Sequence, residues 1–331
     1  MKFGVRLPNS GPFASRQAIT AMATAAERLG YDAVLPHDHV NWGYDDRYHF
    51  YAGSREAADA HRRPTHFYEA MATMNYIAGM TERIRIIPAA ICLAWRPVLP
   101  LAREALTLHQ LSQGRFVMCL CVGNVRRDFE VTGMPWDERG AIAVEKLKVL
   151  RMLIDNPGLI SFEGKYVSFK DAELSPRPEG LKIWWAGSSN DISVRRAARY
   201  ADGLMGGGPD FFMDKTPYLY EEAKRVGRGD VKFDMACVPH VCVAASDAEA
   251  WDIAGKTMEA HSQGEWMTRH TVGTRTRPNL VGEPQTVANA VDVYKGAGVT
   301  FLGLGFVGHS VESLLKQMEI FAIEVMPRIE G

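Results

Sequence analysis

The chain has 331 residues, 47% of them apolar and 23% charged, with a formal net charge of -1. That length allows one large domain or two ordinary ones, and a near-neutral charge without an acidic or basic tail argues against nucleic acid as a partner. No membrane-spanning apolar run and no secretory leader is present, and five cysteines without metal-ligand spacing fit a reducing, cytoplasmic compartment.

Lys2 to Leu7 reads as a first strand. After the turn residues Asn9-Ser10-Gly11-Pro12, Ala18 to Leu29 has helical apolar spacing and stops at Gly30, suited to a helix C-cap. Ala33-Val34-Leu35 is a second strand, with His37-Asp38-His39 at its end. A side chain that changes charge near neutral pH suits acid–base work, so His39 is a catalytic candidate; an ordinary loop histidine is the alternative. Metal binding is disfavoured, because no third and fourth ligand has local spacing. From Asn41 to Thr65 no periodicity is visible, and a stretch of that length is expected to be a functional loop. Its aromatics, Trp42, Tyr44, Tyr48, Phe50 and Tyr51, would line an apolar pocket or a dimer contact.

Phe67 to Met80 predicts a helix, and Arg83 to Ile91 a third strand distorted near Pro88. Val98 to Leu111 is the next helix. Phe116 to Val122 is an unbroken apolar run, the mark of a strand covered on both faces. It ends at Gly123, followed by a polar turn from Asn124 to Asp128. Cys119 and Cys121 share one face of this strand. Cys119 is read as core; Cys121, at the strand end, is either core or a reactive thiol.

A helix from Ala141 to Ile154 precedes ISFEGKYVSF, whose alternation around Glu163-Gly164 predicts a β-hairpin inserted beside the main sheet. Ile183 to Gly187 is a strand, and Ser188-Ser189-Asn190-Asp191 opens a helix running through Tyr200. Hydroxyls and free N–H groups at a helix start suit a phosphate, with a plain N-cap as the alternative. Leu204 to Gly208 is a short strand ending in glycines, where backbone can approach a ligand. Phe211 to Val226 is a helix. Met235 to Ala245 is a strand with Cys237, His240 and Cys242 as structural residues. Ala248 to His261 is helical, and 261–279 is a polar connector, a second candidate active-site loop. A helix from Glu283 to Ala297, a strand from Phe301 to Phe306 and a helix from Val311 to Val325 complete the chain.

Strands and helices thus alternate about eight times with no linker. The expected architecture is α/β, a (β/α)8 TIM barrel with a β-hairpin insertion after the fourth β/α region, as a single domain over 1–331. The absence of G-x-G-x-x-G after the first strand weighs against a dinucleotide-binding sheet.

Several segments carry a resemblance in this order: AERLGYDAVLPHDHV, TERIRIIPAAICL with its following Arg-Pro, TLHQLSQGRFVMCLCVG, DFEVTGMPWDERG, SFEGKYVSF and LSPRPEGLKIWWAGSSNDISVRRAARYADGL. Together they resemble the bacterial luciferase-like flavin monooxygenases over nearly the whole length. The resemblance implies a homodimeric TIM barrel that holds reduced FMN, or alternatively the deazaflavin coenzyme F-420, at the carboxyl ends of its strands. It places Asp38 and His39 on the family's acidic residue and catalytic histidine. Ala89 and Ala90 fall on a dipeptide with a non-prolyl cis bond beneath the flavin ring, and Cys121 on a thiol near the flavin. Asn124, Gly187 and Gly207 are further cofactor-binding candidates, and Ser188 and Ser189 match phosphate-binding serines. The implied activity is a two-component monooxygenase that oxidises a small, apolar or aromatic substrate through a flavin peroxide, with an NAD(P)H-dependent flavin reductase as partner. A deazaflavin-dependent dehydrogenase or reductase is the alternative, and a non-catalytic flavin-binding subunit a third. One departure stands out: the luciferases carry an arginine after the thiol, whereas this chain has Val122, leaving Arg126 or Arg127 as substitutes.

Overall fold

The computed structural model describes residues 1–11, 13–40, 66–177, 179–187, 190–260, 270–272, 275–277 and 280–330. The expected loop at 41–65, most of the connector at 261–279 and the serines Ser188 and Ser189 lie outside the described residues. Within them the fold is α/β, built on a parallel sheet that curls. Its strands are β1 (Lys2–Arg6), β2 (Ala33–Leu35), β3, β4 (Met118–Cys121), β5 (Ile183–Ala186), β6 (Gly203–Met205), β7 (Asp234–Cys237) and β8 (Phe301–Phe306). β3 is in two pieces, Arg85–Ile86 and Ile91–Cys92.

The pieces of β3 take different neighbours. Arg85–Ile86 pairs with β2, whereas Ile91–Cys92 pairs with β4. Between them runs β2-β1-β8-β7-β6-β5-β4, so the two pieces sit at the two ends of the sheet. Ile86 also bridges in parallel to Phe116, just ahead of β4. The sequence reading of one strand from Arg83 to Ile91 is corrected accordingly. Pro88 has no N–H to donate, and the Ala89–Ala90 bond that follows is cis.

Helices pack outside the curl. The chief ones are α1 (Arg16–Arg28), α2 (Ala70–Met80), α3 (Val98–Leu111), α4 (Arg126–Thr132), α5 (Arg139–Asp155) and α6 (Asp191–Tyr200). α1 shows why the sequence makes them. Ser15 Oγ accepts the Ala18 N–H at 3.0 Å, and Ala18, Ile19, Met22, Ala23 and Ala26 form one buried stripe. Two expectations shift here. The polar turn 124–128 gives way at Arg126 to the short helix α4, and Phe67 belongs to a two-residue strand, His66–Phe67, paired with Ser10–Gly11.

Alternation along β1 sorts the core. Phe3 and Val5 join the large cluster beneath the helices. Gly4 faces the inside of the curl, where a Cβ would lie 2.5 Å from Leu35 and 2.7 Å from Phe301. Only glycine allows that approach. Arg6, two residues on, shares this inner face at the carboxyl end. The inside is filled by Leu35, Ile87, Val117, Cys119, Trp184 and Phe301. Cys119 is therefore core, as expected.

The expected strand Met235–Ala245 is also broken. β7 stops at Cys237, and a separate strand, His240–Val243, pairs with Leu280–Gly282 and with the end of β8. Pro239, which cannot donate to a ladder, separates the two. The expected hairpin forms: Ile160–Glu163 pairs antiparallel with Ser168–Ala172. Among the described residues no helix is long and apolar enough to cross a membrane.

Candidate functional site

The carboxyl ends of the strands gather the expected residues. Register places Cys92 opposite Cys121, Cys121 opposite Ala186, and Ala186 opposite Met205. Cys121 is partly exposed, and its Sγ lies 3.8 Å from the Ala90 carbonyl oxygen. Ala89 and Ala90 face the same interior cluster as Leu35 and Trp184. β3, β4 and β5 thus form one wall of the rim, with thiol and alanine pair side by side.

His39 lies at the β2 end of this wall. Its Nδ1 is 2.9 Å from Asp128 Oδ2, and the Val40 N–H donates to Asp128 Oδ1 at 3.1 Å. Asp128 is fully buried. A carboxylate only accepts, so Nδ1 carries the proton, and in the neutral ring Nε2 is the nitrogen with the lone pair. The sequence reading placed Asp128 in a turn and gave it no role. Its partner is 89 positions away, which no local spacing reveals. Phe67 packs edge-on to both His37 and His39, at ring distances of 5.6 and 6.0 Å.

Asp38 does something different from its neighbour. Its carboxylate is buried and takes two hydrogen bonds from Arg96, at 2.7 and 3.1 Å, and one from the Cys92 N–H at 3.1 Å. Arg96 also bonds Glu69 at 2.7 Å. Asp38 therefore ties the end of β2 to the second piece of β3. Lys146 on α5 supports the same segment from below, donating to the carbonyls of Ala94 at 2.6 Å and Arg96 at 2.8 Å. Burial pulls the Lys146 ammonium down to about 8.

His37 is buried against the opposite side. Its N–H donates to Asn9 Oδ1 at 3.0 Å, its carbonyl accepts from Asn9 Nδ2 at 2.8 Å, and its Nε2 meets Ser10 Oγ at 2.5 Å. Burial first, and then the positive charge of Arg6, push its pKa well below the ordinary histidine range. His37 is therefore neutral near pH 7.

At β5 and β6 the backbone comes close to the site. A Cβ on Gly187 would collide with Ser193 Oγ, and Gly207, at φ +57°, has no room for one against Phe211. α6 begins just beyond, with Asn190 accepting the Ser193 N–H at 3.0 Å. The N–H groups of Asp191 and Ile192 lie in the first turn, where a helix supplies no partner. Arg196, in the second turn, meets no carboxylate among the described residues; it donates to the Gly140 carbonyl at 3.4 Å, and its buried Nε has no partner among them. Asn124 is exposed ahead of α4. Arg126 and Arg127 are exposed as well and pair with Glu130 at 3.6 and 3.1 Å.

Among the described residues no three His, Cys, Asp or Glu side chains gather as a metal would need. An open cavity of about 600 Å³ lies at the amino end of β5 and β6, lined by Arg151, Lys182 and Asp202 among others. Several of its charges pair with one another or with neighbours: Arg151 with Asp202 at 2.9 Å and Lys182 with Asp234 at 3.0 Å.

A family model described as luciferase-like monooxygenase matches residues 1–300. The pyrimidine monooxygenase RutA of Caulobacter sp. (strain K31) is 28% identical over 281 residues, covering 78% of this chain and 73% of the relative. An FMNH(2)-dependent dimethylsulfone monooxygenase of Pseudomonas fluorescens (strain Pf0-1) is 25% identical over 292 residues, covering 79% and 78%. Among solved structures, an F420-dependent secondary alcohol dehydrogenase superposes with a TM-score of 0.77 at 19% identity, covering 100% of this chain and 99% of the other. At that identity the likeness shows a common fold.

Proposed function

The chain belongs to the luciferase-like monooxygenase family, an enzyme family of flavin-dependent oxidoreductases, and on that premise we propose that it is the oxygenating component of a two-component monooxygenase using reduced FMN. The curled sheet is read as a complete (β/α)8 barrel within one domain over 1–331, the 160–172 hairpin being an insertion; the Ile86–Phe116 bridge supports this. The FMNH(2) dependence of the dimethylsulfone relative supports the cofactor. A separate NAD(P)H-dependent flavin reductase would supply it, and the working form would be a homodimer.

The residues present fit a flavin. The rim between Cys121 and the Ala89–Ala90 pair gives an apolar wall for a flat ring, and Gly187 and Gly207 bring bare backbone up beside it, packed where a Cβ would strike Ser193 or Phe211. Bound there, the cofactor supplies the electrons with which dioxygen is activated. Cys121, Ala89 and Ala90 would flank the ring, and the start of α6 with Ser188, Ser189 and Arg196 would hold the phosphate. Asn124 would close the edge ahead of α4.

The observation that carries the catalytic reading is the His39–Asp128 pair, 2.9 Å apart, with the carboxylate buried and the imidazole partly exposed at the rim. Asp128 fixes the tautomer, and His39 Nε2 takes or returns a proton at the substrate. Asp38 acts through others: by binding Arg96 and the Cys92 N–H it holds the rim against which the ring packs.

Deazaflavin-dependent hydride transfer is the second reading, favoured by the likeness to the alcohol dehydrogenase. Anaerobic titration with reduced FMN and, separately, with reduced deazaflavin decides between them. Tight FMN binding, followed on admitting oxygen by a transient absorbance that free FMN lacks, is the expected result. Saturation by the deazaflavin alone overturns the monooxygenase reading.

A further inference from the structure

The rim has a second side, formed by β1, β2, the His240–Val243 strand and the end of β8. Arg6 stands on it. Its position on the inner face of β1 turns its side chain towards the rim, and a Cβ built on Gly305 would lie 3.4 Å from both Arg6 Cδ and His240 Nδ1. Arg6 is partly exposed, and among the described residues its guanidinium has no hydrogen-bond or ion-pair partner. The two carboxylates described at the strand ends are already engaged, Asp38 by Arg96 and Asp128 by His39. A guanidinium is always charged at working pH, so this side of the rim carries a positive charge that no described residue pairs with.

We propose that Arg6 receives a carboxylate of the substrate, so that the enzyme acts on an organic acid with an apolar or aromatic body. The inference rests on the functional reading above and deepens it by naming a substrate class. Three features favour this class. The fork of a guanidinium matches two carboxylate oxygens. A single permanent charge suits a monoanion better than a phosphate dianion, since the adjoining His37 stays neutral and brings no second charge. Gly305 keeps a side chain off the β8 edge beside Arg6, and Phe67 adds an apolar surface over His37 and His39. With flavin on the β3–β5 wall and the acid group on the β1–β8 side, the body of the substrate would span the rim past His39.

Benzoate and its neutral isostere benzamide are the probes. Calorimetric titrations are run on the protein saturated with oxidised FMN and on the apoprotein. Benzoate is expected to bind about tenfold more tightly than benzamide. Arg6→Met should bring the two within about twofold of each other while leaving the FMN dissociation constant within about twofold, and Arg6→Lys should keep part of the preference. Circular dichroism checks that each variant folds; if Arg6→Met does not, Arg6→Lys and the wild-type preference still decide. No preference for benzoate in the wild type, absence of binding included, overturns the proposal. So does an Arg6→Met variant that loses FMN affinity as much as benzoate affinity, for Arg6 would then serve the cofactor. Failure of any flavin to bind overturns the flavin reading instead, and the apoprotein titration still decides the role of Arg6.

Discussion

His39 Nδ1 and Asp128 Oδ2 meet at 2.9 Å although 89 residues separate them in the chain. Asp128→Asn keeps the shape but replaces an acceptor by an amide whose NH2 can force the imidazole into its other tautomer. Turnover should fall by about 100-fold or more, with FMN affinity within about twofold of wild type. His39→Ala should do the same, and the double variant should be scarcely worse than either single one, because the two act as a unit. Steady-state kinetics beside flavin titrations check this; additive losses would mean that Asp128 acts on something other than His39.

Asp38 should prove a matter of stability more than of turnover. Arg96→Met leaves its carboxylate buried and unpaired, which costs on the order of 3–5 kcal/mol. The pair Asp38→Asn with Arg96→Met should recover part of that loss. Urea denaturation midpoints read the effect directly. A stable Arg96→Met protein would show that water or another group reaches Asp38.

His37 gives the pH dependence. Its pKa is lowered in the folded chain by burial and by Arg6, so between that value and the ordinary one near 6.5 the unfolded chain binds a proton that the folded chain does not. Stability should therefore fall as pH drops below about 6.5, by up to roughly 1.4 kcal/mol per pH unit for this one group. Thermal midpoints between pH 7.5 and 5.5 test it, and His37→Gln should flatten the curve.

Arg196→Met separates phosphate from ring. FMN and riboflavin differ by the phosphate alone, so the variant should lose about tenfold in FMN affinity and little in riboflavin affinity. Fluorescence titrations with both flavins measure this. Equal losses would place Arg196 in the support of α5 and α6, consistent with its contact to Gly140.

Much of the fold was legible because periodicity is local. β2, α3 and β8 lie where their apolar spacing puts them, at Ala33–Leu35, Val98–Leu111 and Phe301–Phe306. The two long strand readings failed at Pro88 and Pro239, where a missing N–H ends a ladder inside an apolar run. Of the candidate site residues, His39 and Cys121 drew notice by standing at strand ends, and the alanine pair through the family resemblance. Asp128 and Arg96 stood within the resembling segments without a role, since each owes its place to a partner brought near by the curl of the sheet. Arg6 was hidden for another reason: its significance is a charge left over once the pairings among the described residues are known, and a strand-end arginine is unremarkable until then.

The two pieces of β3 have a consequence for how this wall can change. Elsewhere in a sheet, inserting or deleting one residue slips the register and turns every later side chain to the wrong face. Between Ile86 and Ile91 the chain stays tied on both sides: Ile86 faces Phe116 and Ile91 faces Leu120 of the same run, while the Ala89 N–H donates to the Pro36 carbonyl at 2.8 Å. The joining stretch therefore holds one residue more than the run it faces. This stretch, which bears Ala89 and Ala90, is thus a place where the floor of the site has taken in an extra residue while both ladders stay in step.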